Sequence, residues 1–120
     1  VISFNGGEIL PKVEEQEGIL FDVLQYFELN YKKKIQFPAM AKSLGYSEST
    51  LYRLFNKVSK YQLTELLNRF RIQRSIELYI EKTCTLEDLS ERVGFSDYKY
   101  FSKVFKKVTG SPPKEYFEKK

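Results

Sequence analysis

The residues GFSDYKYFSKVFKKVTGSPP, positions 94 to 113, decide how the rest of the chain is read. Gly94 closes one apolar-periodic run, Asp97 is placed to accept from the unpaired amides of a first helical turn, and Phe101, Val104, Phe105 and Val108 recur at helical spacing. The stretch predicts a short helix, a tight turn and a second helix. Between the apolar positions of that second helix stand Tyr98, Lys99, Ser102, Lys103, Lys106 and Lys107. A helix with one apolar stripe for its own core and an opposite basic, hydroxyl-bearing stripe is suited to the major groove of DNA.

The same grammar occurs earlier in the chain. Pro38 suits a first helical turn, Phe37, Met40, Ala41 and Leu44 make a short apolar stripe that stops at Gly45, and Ser47 is placed to cap a helix carrying Leu51, Leu54, Phe55 and Val58. Phe37, Met40, Leu44, Gly45 and Tyr46 overlie Leu86, Leu89, Val93, Gly94 and Phe95 at an offset of 49. Past the turn, Ser47, Leu51, Arg53, Leu54, Phe55, Lys57 and Val58 overlie Asp97, Phe101, Lys103, Val104, Phe105, Lys107 and Val108 at an offset of 50, so that Ser96 has no counterpart. So many paired residue types in register mark an internal repeat.

Gln62 to Glu81, between the copies, contains neither Gly nor Pro. Leu63, Leu66, Leu67 and Phe70 share one helical face, and Ile72, Ile76, Tyr79 and Ile80 lie about half a turn away. A continuous helix of this length spans about 30 Å and presents an apolar face to a separate unit at each end. Two recognition helices held so far apart would reach successive major grooves on one face of a duplex, where the repeat is about 34 Å. The connecting helix would then act as a ruler.

Outside the repeat, Ile19, Leu20, Val23, Leu24, Phe27 and Tyr31 predict one face of a helix that begins at Glu17, with Lys32, Lys33 and Lys34 closing it as a solvated, cation-favouring terminus. Residues 1 to 16 show no periodicity and read as a linker or the tail of an upstream domain. Ser111 is expected to cap, and a proline to open, a last short helix whose Tyr116 and Phe117 fold back onto the second unit. The division expected is 17–60 for the first unit, 61–81 for the linker helix and 82–120 for the second unit.

A chain of 120 residues with 42% hydrophobic content suffices for one domain or two very small ones. Charge is unevenly distributed: residues 1 to 31 hold Lys12 against six acids, and the remaining 19 bases and 10 acids fall in residues 32 to 120. A basic body of that kind attracts polyanions in a salt-dependent way. No apolar run approaches membrane-spanning length and no secretory leader is present, so a cytoplasmic location is expected. The lone Cys84 reads as a small thiol in a reducing compartment, and the chain, starting at Val1 with Met40 its one methionine, as part of a longer polypeptide. Without histidine, a thiol partner, a glycine-rich phosphate cradle or metal-ligand spacing, the sequence argues against an enzyme and calls for no metal or cofactor.

With both units and the connecting helix in place, residues 19 to 118 resemble the DNA-binding domain of the AraC/XylS family of bacterial transcription regulators. The resemblance rests on Thr85-Leu86-Glu87-Asp88-Leu89, Val93-Gly94-Phe95-Ser96-Asp97, Tyr100-Phe101-Ser102-Lys103, Phe105-Lys106-Lys107, Gly110, Ser111-Pro112 and Tyr116, with Arg71-Ile72 matching the family's linker-helix motif. It implies an all-α fold of about seven helices, with two helix-turn-helix units in adjacent major grooves of an asymmetric promoter site, a contact with RNA polymerase, and an upstream sensor or regulatory domain. The family's base-facing positions fall on Ser49, Thr50, Tyr52 and Arg53 in the first unit, and on Tyr98, Lys99, Ser102 and Lys103 in the second. Lys57, Lys106 and Lys107, further along these helices, are better placed for phosphates, which fix register without reading sequence.

Three departures from the family pattern carry consequences. Lys60 stands where a helix-ending glycine is common, and a left-handed lysine costs about 1 kcal/mol, so the first unit is expected to end differently. Ser75 and Ser90 replace alanines, and each hydroxyl must find a backbone carbonyl. Gln36 replaces a Ser or Thr cap, which makes the first unit the less stable one. The competing reading is a helical module whose basic face meets an acidic protein; it calls for exposed apolar residues on the recognition faces, where Lys, Arg, Ser, Thr and Tyr stand instead.

Overall fold

The protein is described by a computed structural model that covers residues 15 to 80 and 84 to 118. Expectations for residues 1 to 14, for the last residue of the 62–81 helix and for the start of the second unit at 82 and 83 lie outside the described residues. The described residues form seven helices and no strand: α1 (Glu15–Asn30), α2 (Phe37–Leu44), α3 (Glu48–Val58), α4 (Leu63–Tyr79), α5 (Leu86–Arg92), α6 (Tyr98–Thr109) and α7 (Pro113–Glu118). None of them is long and apolar enough to cross a membrane.

The repeat is present in the backbone hydrogen bonds. In the first unit Gly45 N–H donates to Lys42 O and Tyr46 N–H to Ala41 O; in the second, Gly94 N–H donates to Glu91 O and Phe95 N–H to Ser90 O, 49 positions on. Beyond the turns, Ser47 Oγ accepts from Thr50 N–H at 3.2 Å and Asp97 Oδ1 from Tyr100 N–H at 2.7 Å, 50 positions on. The inserted Ser96 lies in the second turn, as the change of offset requires. Burial repeats as well: Met40, Ala41, Leu51, Leu54 and Phe55 match Leu89, Ser90, Phe101, Val104 and Phe105.

The serines that replace alanine are satisfied locally, Ser75 Oγ donating to Ile72 O at 2.7 Å and Ser90 Oγ to Glu87 O at 2.8 Å. Gln36 precedes α2 in extended backbone and makes no side-chain cap bond. The first unit also ends without a left-handed residue: after α3, Ser59 is extended at φ −118°, and its hydroxyl donates to Tyr61 O and accepts from Tyr61 N–H. Gly110 ends α6 at φ 94°. The departure at Lys60 is therefore resolved by a serine turn.

Several expectations are corrected. α1 buries Ile19, Val23 and Phe27, a stripe of one residue per turn that Tyr31 continues just past its end; Leu24 is exposed and Leu20 half-buried. No base lies in its last turn, because the helix stops at Asn30 and Lys32–Lys34 follow in the turn beyond it. Ser111 does not cap α7. Its place is taken by Pro112, whose carbonyl accepts from Tyr116 N–H, while Ser111 O accepts from Thr109 Oγ1. Ile80 lies just past α4 and is 74% exposed, so the second apolar face of that helix ends at Tyr79.

α4 is unbroken over 17 residues, about 25 Å at 1.5 Å per residue. Phe70 packs its ring 6.0 Å from Phe27 and 5.6 Å from Tyr31, both on the first unit. Tyr79 packs 4.3 Å from Phe117, which belongs with Phe105 and Tyr116 to an aromatic cluster of the second unit. One hydrophobic core thus runs from α1 through α4 to α7.

Candidate nucleic-acid interface

α3 and α6 are each amphipathic because their apolar residues recur three and four apart. α3 buries Leu51, Leu54 and Phe55, and α6 buries Phe101, Val104 and Phe105, which leaves the intervening side chains on the outer face. On α3 the outer face carries Ser49, Arg53 and Lys57, all exposed, with Thr50 and Tyr52 half-buried. On α6 it carries Lys99, Lys103, Lys106 and Lys107, exposed, with Ser102 and Tyr98 half-buried. Arg53, Lys57, Lys99, Lys103, Lys106 and Lys107 form no ion pair among the described residues. Their charge is therefore uncompensated at close range and available to an anion.

The polar groups at the start of α3 are partly engaged with one another. Ser47 Oγ donates to Thr50 Oγ1 at 2.8 Å and lies 3.4 Å from Ser49 Oγ, so the cap residue also orients two of the three hydroxyls on α3 expected at bases. Tyr98 is placed differently from the rest. Its ring packs 6.0 Å from Phe101, and it lines a cleft with Tyr79, Leu86, Glu87 and Phe117, on the side of α6 that meets α5 and α7. Burial, and then the nearby charge of Glu87, push its phenol above the usual tyrosine range, so it stays a neutral hydroxyl. Tyr52 likewise packs against the core.

The structure adds groups that sequence reasoning did not assign. Lys103 and Lys107 share a groove with Gln62, just before α4, and with Thr64, Asn68 and Arg69 from its first half. Tyr100, 43% exposed on α6, accepts a hydrogen bond from Asn68 Nδ2 at 3.0 Å and so joins the two helices across that groove. Arg69 is engaged within its own unit, stacked 4.2 Å over the Tyr61 ring and paired with Glu65 at 3.5 Å. A signal was present in Asn68, a polar residue inside an apolar-periodic helix, but its partner stands 32 residues away and no local pattern links them.

The AraC-type helix-turn-helix domain family matches residues 40 to 119. The chain belongs to this family. AraC-type domains are DNA-binding modules of transcription regulators, and the two matching units and the linking helix are the all-α architecture of that class. Among curated proteins, the transcriptional regulatory protein HptR of Staphylococcus aureus is 29% identical over 107 residues, covering 89% of this chain and 42% of its own length. This chain thus spans under half of that relative. Among solved structures, the C-terminal domain of AraT, a response regulator from Geobacillus stearothermophilus, superposes with a TM-score of 0.79 at 23% identity, over 92% of this chain and 89% of that one. The DNA-binding domain of AdpA, a global transcriptional factor solved in complex with a target DNA, superposes with a TM-score of 0.72 at 18% identity, over 82% and 87%. These two likenesses concern the fold.

Proposed function

We propose that this AraC-type domain binds an asymmetric promoter site on double-stranded DNA, with α3 and α6 in successive major grooves, and that it serves a transcription activator in the cytoplasm. The observation that carries the reading is the pair of outward helix faces, matched by the repeat, whose cations have no ion-pair partners among the described residues. Because the two faces differ in sequence, an asymmetric site suits them better than a palindrome. Ser49, Thr50, Tyr52 and Arg53 read bases in one groove and Lys99, Ser102 and Lys103 in the next; Arg53 and Lys103 donate to guanine O6 and N7. Tyr98, held inward, contributes through its hydroxyl at the edge of the second face. Lys57, Lys106 and Lys107 meet phosphates.

The working division is a first unit at 17–60, a linker helix at 61–81 and a second unit at 82–120. A relative from Staphylococcus epidermidis that is a response regulatory protein supports an upstream regulatory domain, and RNA polymerase is the proposed partner beside the promoter. A protein-binding role is less well supported, since the exposed large hydrophobics Phe21, Leu24, Leu29, Leu78 and Ile80 all lie off α3 and α6, which expose only Tyr100.

The test is site selection from random duplexes followed by gel shift. The expected result is one asymmetric consensus, bound with a log-log salt slope of about −5 if some six phosphates are neutralised. Equal binding to scrambled duplex of the same length, or a slope near zero, would refute it.

A further inference from the structure

Arg71, in the middle of α4, is 8% exposed, and no carboxylate pairs with it among the described residues. Its Nε donates to Tyr31 O and its Nη2 to Lys33 O, each at 2.9 Å, capturing the chain where it leaves α1. On the other side lies the turn of the second unit. A Cβ on Gly94 would come 2.2 Å from Tyr31 O and 2.8 Å from Arg71 Nε, and the Phe95 ring centroid is 5.8 Å from the guanidinium carbon. The first unit, the linker helix and the second unit therefore meet at one guanidinium, and the turn it touches leads two residues later into the Asp97 cap of α6. Burial lowers the Arg71 pKa from its usual value, and the nearby Tyr100 phenol offsets part of that shift.

We propose that Arg71 is a positioning residue: it fixes the placement of the second recognition helix relative to the first, and so sets the spacing between the two half-sites that the domain accepts. The inference rests on the DNA-binding reading above. A guanidinium suits the task because its planar fork holds two carbonyls at set angles, which a lysine ammonium, a rotatable point charge, does not. Two readers held rigidly gain from each other only when the two grooves present themselves at the matching distance and rotation.

The experiment compares wild type, Arg71→Lys and Arg71→Met on the selected site, on each half-site alone, and on sites with one base pair added or removed between the halves. Wild type should lose binding at least about tenfold on the altered spacings, whereas Arg71→Lys should bind the selected site about tenfold more weakly, discriminate spacings less than about threefold and keep its half-site affinity. Retained spacing discrimination in Arg71→Lys overturns the proposal. A second readout needs no DNA: spin labels at exposed Ser43 and Glu91, in a Cys84→Ser background, should give one narrow distance distribution in wild type and a broad one in Arg71→Lys. An unchanged distribution overturns the proposal, including where Arg71→Met fails to fold. Wild type that binds no sequence specifically refutes the DNA reading instead, and the label distances still decide the junction.

Discussion

Gly94→Ala adds a single methyl group and should be among the most destabilising small changes in the chain. Gly110 supplies the control, because both glycines follow a recognition-unit helix in left-handed backbone, at φ 99° and 94°, yet a Cβ at Gly110 would meet nothing within 4 Å. For Gly110→Ala only the backbone counts: about 1–2 kcal/mol for a left-handed alanine, offset by about 0.4–1 kcal/mol from the stiffer unfolded chain. The net loss is about 1 kcal/mol. At Gly94 the same term applies, and the new Cβ at 2.2 Å from Tyr31 O also forces that carbonyl away from Arg71. Leaving a buried charged donor without its acceptor adds about 1.5–3 kcal/mol, for a total of about 2.5–4 kcal/mol. With roughly 4–8 °C per kcal/mol for a domain of this size, thermal unfolding followed by circular dichroism should show Gly110→Ala lower by about 5 °C and Gly94→Ala by about 15 °C. Equal losses in the two variants would refute the close approach at Tyr31 as a source of stability.

Gln36→Ser should raise stability by about 1 kcal/mol, since the residue is already extended and its side chain makes no cap bond; urea denaturation with an unchanged midpoint would count against the missing cap as a weak point. Arg53→Ala should weaken binding to the selected site by about 1–3 kcal/mol and relax preference at one base position, read by repeating the site selection. In contrast, Lys106→Gln combined with Lys107→Gln should weaken all duplexes alike and flatten the log-log salt slope by about 2, measured by titration at several salt concentrations.

What was legible in the sequence was local. Caps, turns and apolar stripes depend on residues within four positions of one another, so Ser47, Asp97, Gly45 and the two buried triads could be placed from spacing alone. The failures came where a distant group or a neighbouring proline decided the outcome. Lys32–Lys34 read as a charged helix end, but the chain turns out of α1 at Tyr31, where Arg71, forty residues away, takes the carbonyl. Leu24 fits the helical period and is exposed all the same, because the residues that α1 packs against cover a narrower strip than the period allows. Ser111 had the chemistry of a cap, but Pro112 lies between it and the first residue of α7 and so occupies the cap position itself.

The same distinction separates the two halves of the proposed interface. A repeat can duplicate a reader, because everything that shapes a helix-turn-helix lies inside about twenty residues, but it cannot duplicate the contact that joins two readers into one. Gly45 and Gly94 are equivalent in the repeat and share positive φ, at 88° and 99°. A Cβ at Gly45 would meet nothing within 4 Å, whereas at Gly94 the backbone of Tyr31 and the guanidinium of Arg71 fill that space. One glycine position thus serves only to turn the chain in the first unit, and in the second it also admits a foreign carbonyl. The asymmetry between the two units therefore extends beyond the differing side chains of α3 and α6 to this joint, where residues outside the repeat, Tyr31 and Arg71, meet one inside it.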